Sequence, residues 1–345
     1  MTAAKASQPC AFVLYRLPHS QSFTRIEKQL SPHTFSSLSE VPLTGGYLIH
    51  PFCADAHTPI VWIEPDTMSQ AEVPLPHSFH ASSFADNKTE VRREYAQSFQ
   101  ALHHMLSCGR LEKVVLARQL HCTGVSAADV EQLFFRACLC RPNSYVALWH
   151  TPQTGTWLVA TPEPLLEYTH HRWHTVALAG TLPYIEGETA VWNDKNREEQ
   201  AIVARFIHHE LSAVTSEIAC SEAYTLPSGN IQHLCTDFSF QLPSSHHVLR
   251  ILQHLHPTPA VCGFPREEAM QAILKYEVAS RQYYAGFSGP LLLQGETHLY
   301  VSLRCMSLTP TSATLYAGGG IMPDSQEREE WDETVRKMQT MKQLL

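Results

Sequence analysis

Five features of the chain combine residue types that do chemistry with spacings that would aim them at one place. Lys113 opens the apolar run Lys113-Val-Val-Leu-Ala-Arg118, which reads as a strand. Burying an ammonium is costly, so a desolvated lysine is pushed towards its neutral form and service as a base. A strand-end lysine that snorkels to water is the ordinary alternative. Glu163 stands between two prolines in Ala160-Thr-Pro-Glu-Pro164, just after another expected strand. Such rigid placement suits a general acid, and a solvated loop glutamate would carry the same signature. Glu199 shares a helical stripe with Val203 and Phe206, which puts a carboxylate on the face meant for the core. Glu330 and Glu333 lie one turn apart, below an Asp324-x-x-Glu327 pattern that reads as a capping box. Inward carboxylates need a cation, and an oxygen-only set suits Mg²⁺; solvated helix glutamates are the plain alternative. Ala317-Gly-Gly-Gly-Ile321, expected directly after a strand, gathers three of the 15 glycines and would let backbone amides approach an anion. It lacks the Lys-Ser/Thr ending of a Walker loop, and a simple turn would look alike. Arg304 alternates with Tyr300 and Ser302 along an expected strand face, where it would grip a carboxylate or join a cross-strand ion pair. Together these describe a site for a small polyanion, with one metal, a lysine base and a glutamate acid.

The elements that must hold these residues are mixed without regular β-α-β alternation, which predicts an α+β fold. Residues 1–85 are rich in Pro, Ser, Thr and His, with short apolar runs at Tyr47 to His50 and Ile60 to Ile63, and read as a β-rich N-terminal part with a soft boundary near Ala85–Lys88. Residues 86–345 form the rest of one intertwined domain. Helical periodicity runs from Thr89 to Leu106, from Asn193–Asp194 to Val214 and from Ser325 to Leu344. Strands are expected at Tyr145 to Trp149 and Trp157 to Ala160. Tyr284 to Leu293 and His298 to Cys305 read as a hairpin about Gln294-Gly-Glu296, with Ala313 to Ala317 as a third strand.

Composition narrows the function class. The 345 residues carry 25 Lys and Arg against 33 Asp and Glu, a net charge of −8 with no block of five like charges, so no footprint for nucleic acid or anionic membrane is expected. No stretch approaches a bilayer span, and Cys10 to Tyr15 is too short for a signal core, which predicts a cytoplasmic protein. Ten scattered cysteines without a CxxC pair argue for free thiols. Among 21 histidines, His209–Glu210 begins a zinc-protease pattern, but Ala213 stands where its second histidine belongs.

From Lys113 onward the chain resembles the chorismate-utilising enzymes, and within them the isochorismate synthases. The matching stretches include Lys113 to Arg118, Ala160-Thr-Pro-Glu163, Leu178-Ala-Gly-Thr181, Asp194-Lys-Asn-Arg-Glu-Glu199 and Gln232-His-Leu234. Further along come Arg281-Gln-Tyr-Tyr-Ala-Gly286, Ser302-Leu-Arg304, Gly318-Gly-Gly-Ile321, Glu330-Trp-Asp-Glu333 and Lys337. The resemblance implies a four-layer α/β/β/α fold with antiparallel sheets and a site between them. It implies that Lys113 activates water to attack C2 of chorismate and that Glu163 protonates the hydroxyl leaving C4. It further implies that Glu199 and Glu333, with Glu330 close by, hold Mg²⁺. Tyr284, Arg304 and the Gly318 amide would take the enolpyruvyl carboxylate, and Thr181 and His233 would line the ring pocket. Lys113 stands where the amine-adding anthranilate branch carries Gln, and Ala179 where the aminodeoxychorismate branch typically has Lys. Water is then the nucleophile, and no glutamine amidotransferase partner is required. The expected activity is isochorismate synthesis for menaquinone, in a monomer. A salicylate synthase, which adds pyruvate elimination, and a non-catalytic chorismate- or metal-binding protein are the alternatives. Gly319 departs from the alanine usual in the glycine segment, and the stretch from Thr181 to Lys195 is shorter than in many relatives.

Overall fold

The computed structural model describes residues 9–75, 85–86, 88–125, 130–228 and 231–345. Two large antiparallel sheets stack face to face, with helices on their outer faces. The first sheet runs in the order Gly263–Phe264, Lys113–Thr123, Ser312–Ile321, Cys305–Thr309, Gly155–Thr161, Tyr145–Thr151, Ala11–Arg16, Ser22–Lys28 and Thr67–Glu72. The second runs Ile218–Cys220, Ile231–Phe240, Arg172–Pro183, Pro164–Thr169, Thr297–Val301, Phe287–Leu291, Gly46–His50, Ile60–Ile63 and His33–Phe35. Strands from the first 75 residues join both sheets, so the N-terminal part is built into the same sandwich. Among the described residues no helix is long and apolar enough to cross a membrane.

Alternation along the strands explains the layering. In Tyr145–Thr151, the side chains of Tyr145, Ala147 and Trp149 enter the large core between the sheets, while Val146 and Leu148 face a second core. Trp157 and Val159 divide from Leu158 and Ala160 in the same way on the neighbouring strand. Successive side chains point to opposite faces, so strands apolar on both faces demand cover on both. The helices Val130–Cys140 and Glu327–Lys342 close the outer core of the first sheet, and Asp194–Ser212 packs on Arg172–Pro183 of the second. This is the expected α/β/β/α arrangement. The doublet His170–His171 is a two-residue hairpin loop with φ of 51° and 62°, a turn whose twist matches the flanking strands.

Three local expectations fail. The stretch Ala317 to Ile321 is not a loop but the end of strand Ser312–Ile321, paired in register with Lys113–Thr123. The expected hairpin forms only between Phe287–Leu291 and Thr297–Val301; Cys305 and Ser312–Ile321 belong to the other sheet, so Arg304 sits in a crossover with φ of 45° and not on a strand face with Tyr300. The last helix begins at Glu327 with Gln326 as its N-cap and no side-chain cap, so the Asp324 capping box does not form. The helices Val130–Cys140, His247–Leu255 and Arg266–Tyr276 are additions to the expected elements.

One brace fixes the strand that carries Lys113. Pairing with Gly263–Phe264 covers Lys113 and Val114, and the Val115 amide donates to the Cys262 carbonyl at 2.8 Å. Beyond it, Arg281 donates to the Val115 and Val261 carbonyls at 2.8 and 2.7 Å and grips both Glu277 oxygens, while Glu277 accepts the Ala117 amide at 2.7 Å. Both side chains are almost fully buried. Replacing Arg281 by methionine strands a buried carboxylate and two carbonyls. It is expected to cost about 3–5 kcal/mol of folding stability, readable as a lowered denaturant midpoint; a loss under 1 kcal/mol would refute the brace.

Candidate active site

Two chain crossovers between the sheets build the heart of the site. The chain leaves the first sheet after Thr161 and enters the second at Pro164, with Glu163 in the step. It returns after Val301 and re-enters the first sheet at Cys305, with Arg304 in that step. The crossovers hold each other, Val301 donating its amide to the Glu163 carbonyl and Ala160 to the Arg304 carbonyl, both at 3.0 Å. A charged residue at such a step is turned into the space between layers, because neither strand pleat dictates its direction.

That space is a cleft between the sheets, lined by polar and charged side chains. Glu163, Thr181, Glu199, His233, Tyr284 and Arg304 line it together with Gly318 and Gly320. Lys113, fully buried beneath it, places Nζ 3.0 Å from the Glu199 carboxylate. Of the ten residues expected from sequence to form the site, seven line this cleft and Lys113 lies directly beneath it, while Glu333 sits beside Gly319 and pairs with the cleft-lining Lys337. Glu330 is set further back, under Gly319.

Electrostatics separate the acid from its surroundings. Burial pushes the Glu163 carboxyl up to about 7, against the pull of Lys113, Arg304 and Lys337. Burial, then Arg304 and Lys337, holds His233 down at about 3. Its Nδ1 lies 2.9 Å from the Gly180 carbonyl and must donate there, so the bare Nε2 accepts from Arg304 at 3.3 Å. The carbonyl is aimed by a bulge: Gly180 has φ of 72°, and the register with Ile231–Phe240 shifts between Ala179 and Thr181. A neutral, fixed imidazole thus orients the guanidinium from behind. Desolvation lowers Arg304 itself to about 10, leaving it a cation at neutrality.

The glycines make room for side chains. The pairing of Ser312–Ile321 with Cys305–Thr309 ends at Tyr316, so the stretch from 317 onward has a strand neighbour on the Lys113 side alone. A Cβ at Gly318 would lie 2.9 Å from the Tyr284 hydroxyl. One at Gly320 would lie 2.1 Å from Glu199 Oε1 and 3.1 Å from Lys113 Cε. Only glycine there admits the lysine–glutamate pair. A Cβ at Gly319 would meet Glu330 Oε2 at 3.3 Å and Glu333 Oε1 at 3.7 Å, a tight but feasible fit.

Glu330 and Glu333 lie against Gly319 and Glu199 against Gly320, and all three carboxylates act on the Lys195 ammonium, an oxygen-only donor set whose charge suits a hard divalent cation. Burial and then Glu333 push Glu330 up to about 7; burial raises Glu333 too, but Lys337, Lys195 and His233 together outweigh it and keep that group low. Each carboxylate is engaged by a lysine: Glu199 by Lys113 at 3.0 Å, Glu330 by Lys195 at 2.5 Å and Glu333 by Lys337 at 2.6 Å. Among the described residues no three acidic, His or Cys side chains converge as a ready-made ligand set. The residues fit a cation by charge and donor type, in exchange for ammonium groups. Lys195 and Lys337 join the site beyond the residues expected from sequence. Lys337 lines the cleft and also donates to the Gly318 carbonyl at 3.0 Å. Its signal was the i,i+4 spacing from Glu333; nothing in the local sequence pairs Lys195 with a carboxylate 135 residues away.

A sandwich of two antiparallel sheets, with a lysine, a shielded carboxyl and an arginine between them, also defines the class of known proteins to which the chain is similar. The solved structure of MenF, the menaquinone-specific isochorismate synthase from Escherichia coli, matches with a TM-score of 0.81 at 22% identity, covering 98% of this chain and 90% of that one, which establishes the shared fold. In sequence, the isochorismate synthase EntC of Escherichia coli strain K12 is 32% identical over 243 residues, 67% of this chain and 62% of that protein. The isochorismate synthase MenF of the same strain is 29% identical over 280 residues, 79% of this chain and 64% of its own length. The matched stretches span less than two thirds of either relative. The family described as chorismate binding enzyme matches residues 54–345, and the chain belongs to it.

Proposed function

We propose that this chain is a Mg²⁺-dependent isochorismate synthase, an isomerase that moves the chorismate hydroxyl from C4 to C2. The observation that carries the reading is one cleft holding a buried lysine and a glutamate whose carboxyl keeps its proton near neutrality, with an arginine between the sheets to take a carboxylate. Arg304, set by His233, and the Tyr284 hydroxyl beside Gly318 hold the enolpyruvyl carboxylate; Thr181 and His233 border the ring. In its uncharged form Lys113 accepts a proton from the water whose oxygen bonds to C2. Both conjugated ring double bonds shift by one position, C1=C2 to C1=C6 and C5=C6 to C4=C5, as the C4–oxygen bond breaks and Glu163 gives its proton to the departing hydroxide. No atom is gained or lost overall. Bound at Glu199, Glu330 and Glu333, Mg²⁺ would offset substrate charge and fix orientation. Lys113 in place of glutamine, and Ala179 in place of lysine, favour water over ammonia, hence no amidotransferase partner. We assign the product to menaquinone synthesis and the chain to the cytoplasm as a monomer, readings supported by the MenF likeness in fold and by the absence of a sequence heptad.

The test is product identification by chromatography after incubating the purified chain with chorismate and Mg²⁺. Isochorismate that accumulates to an equilibrium mixture and is absent with EDTA is expected. Salicylate with stoichiometric pyruvate would reassign the chain to salicylate synthesis. Unchanged chorismate would leave a binding role.

A further inference from the structure

Of the three lysines that engage the carboxylate cluster, two have other work: Lys113 lies under the reacting centre, and Lys337 lines the cleft and holds the Gly318 carbonyl. Lys195 has neither. Among the described residues Glu330 is the one hydrogen-bond partner of its ammonium, at 2.5 Å, and Lys195 does not line the cleft. Its position is also unfavourable to a cation. It is the second residue of helix Asp194–Ser212, the end where aligned peptide dipoles favour negative charge, whereas Glu330 occupies the first turn of Glu327–Lys342, where a carboxylate is at home. The pair links the two helices that supply all three carboxylates, and the Glu330 side chain is only 2% exposed. A lysine kept at the wrong helix end, for one buried carboxylate, is explained by the charge of the cluster rather than by the helix.

We propose that Lys195 is the built-in counter-ion of this cluster, a positioning residue that holds Glu330 between the two helices and competes with a divalent cation for that carboxylate. The inference rests on the cation reading of Glu199, Glu330 and Glu333. Two helices carrying three acidic groups into one space would repel one another; Lys195 offsets that repulsion and, by the same charge, weakens the hold on an incoming cation. The affinity of the site is then set low, so that filling it depends on a further anion such as the bound substrate.

The experiment titrates Mn²⁺ into the full chain without chorismate, counting free ion by electron paramagnetic resonance, for the wild type, Lys195→Met and Lys195→Arg. Removing one positive charge within a few ångströms of the ion should tighten Mn²⁺ binding by at least about tenfold. Lys195→Arg, which keeps the charge, should stay within about threefold of the wild type. Lys195→Met should melt earlier than the wild type without metal and regain the difference when Mn²⁺ is added. Equal or weaker Mn²⁺ binding by a folded Lys195→Met, with the wild type binding, would overturn the counter-ion role and leave a structural clasp. If neither protein binds, the cation reading fails and this role falls with it. Binding by Lys195→Met alone would support the role outright. If Lys195→Met does not fold, Lys195→Gln carries the same comparison.

Discussion

Lys113→Ala is expected to lower kcat by about 10²–10⁴, the usual worth of a positioned proton-transfer group, while the protein stays folded. The side chain is wholly buried, its ammonium pairs with Glu199, and Glu199 lines the cleft. A base in such a place cannot be replaced by bulk water, since the side chain is wholly buried with Gly320 and Glu199 against it. Truncation to alanine leaves a channel the width of a butyl chain, which a small primary amine can enter. Ethylamine or propylamine should therefore restore part of the lost rate to Lys113→Ala, increasing with the concentration of free amine. Lys113→Met fills the same space without a nitrogen and should be as slow but not rescued. The measurement is initial isochorismate formation with and without added amine. Equal failure of rescue in both variants would assign Lys113 to holding Glu199 rather than to proton transfer. A kcat within tenfold of the wild type would remove it from the chemistry altogether.

Much of this site was legible in the sequence because its chemistry is carried by residues that violate a local rule. A lysine opening an apolar strand, a glutamate on the buried stripe of a helix and a glutamate locked between prolines each stand out against their surroundings. Misreadings came where the meaning of a residue depends on what lies across the sheet. The three glycines looked like a loop because their side-chain space is invisible in one strand; the atoms that need it, the Tyr284 hydroxyl and the Glu199 carboxylate, arrive from distant segments. Arg304 kept period-two alternation with Tyr300 and Ser302, yet a change of sheet interrupts that period, and only the φ of 45° reveals the step. Lys195 and the Arg281–Glu277 brace share this character. Arg281 and Glu277 are four apart, but the Val115 carbonyl and Ala117 amide they satisfy belong to a strand 166 and 160 residues away in sequence. The helix Val130–Cys140 is short and apolar over much of its surface, a pattern that does not separate helix from buried strand.

Glu163→Gln should separate activity from stability in opposite directions. As the proton donor, Glu163 works only while its carboxyl is protonated, and burial lifts that carboxyl from 4.5 to about 7. Wild-type kcat is therefore expected to be flat below neutrality and to fall about tenfold per pH unit above it, provided the base is already in its active form. Glutamine has no proton to give, so the variant should be slower by about 10²–10⁴ and lack this falling limb. Stability runs the other way. The folded protein holds the Glu163 proton more tightly than the unfolded chain, so folding free energy declines as pH rises from 4.5 to about 7 and stays lowered above that window. At about 1.4 kcal/mol per pH unit, ionisation of this one buried carboxyl costs about 3 kcal/mol at pH 8. Glutamine keeps the shape and removes the charge. Urea titrations at pH 8 should then show the variant more stable than the wild type by up to about that amount, and the gap should close towards pH 4.5. The carboxyl of Glu330, also lifted to about 7, is unchanged by the substitution and cancels from the difference. A variant that is less stable than the wild type at pH 8 would mean that Lys113, Arg304 and Lys337 together stabilise an ionised Glu163. A carboxylate so held could not serve as the acid at C4, and the proton would have to come from elsewhere in the cleft.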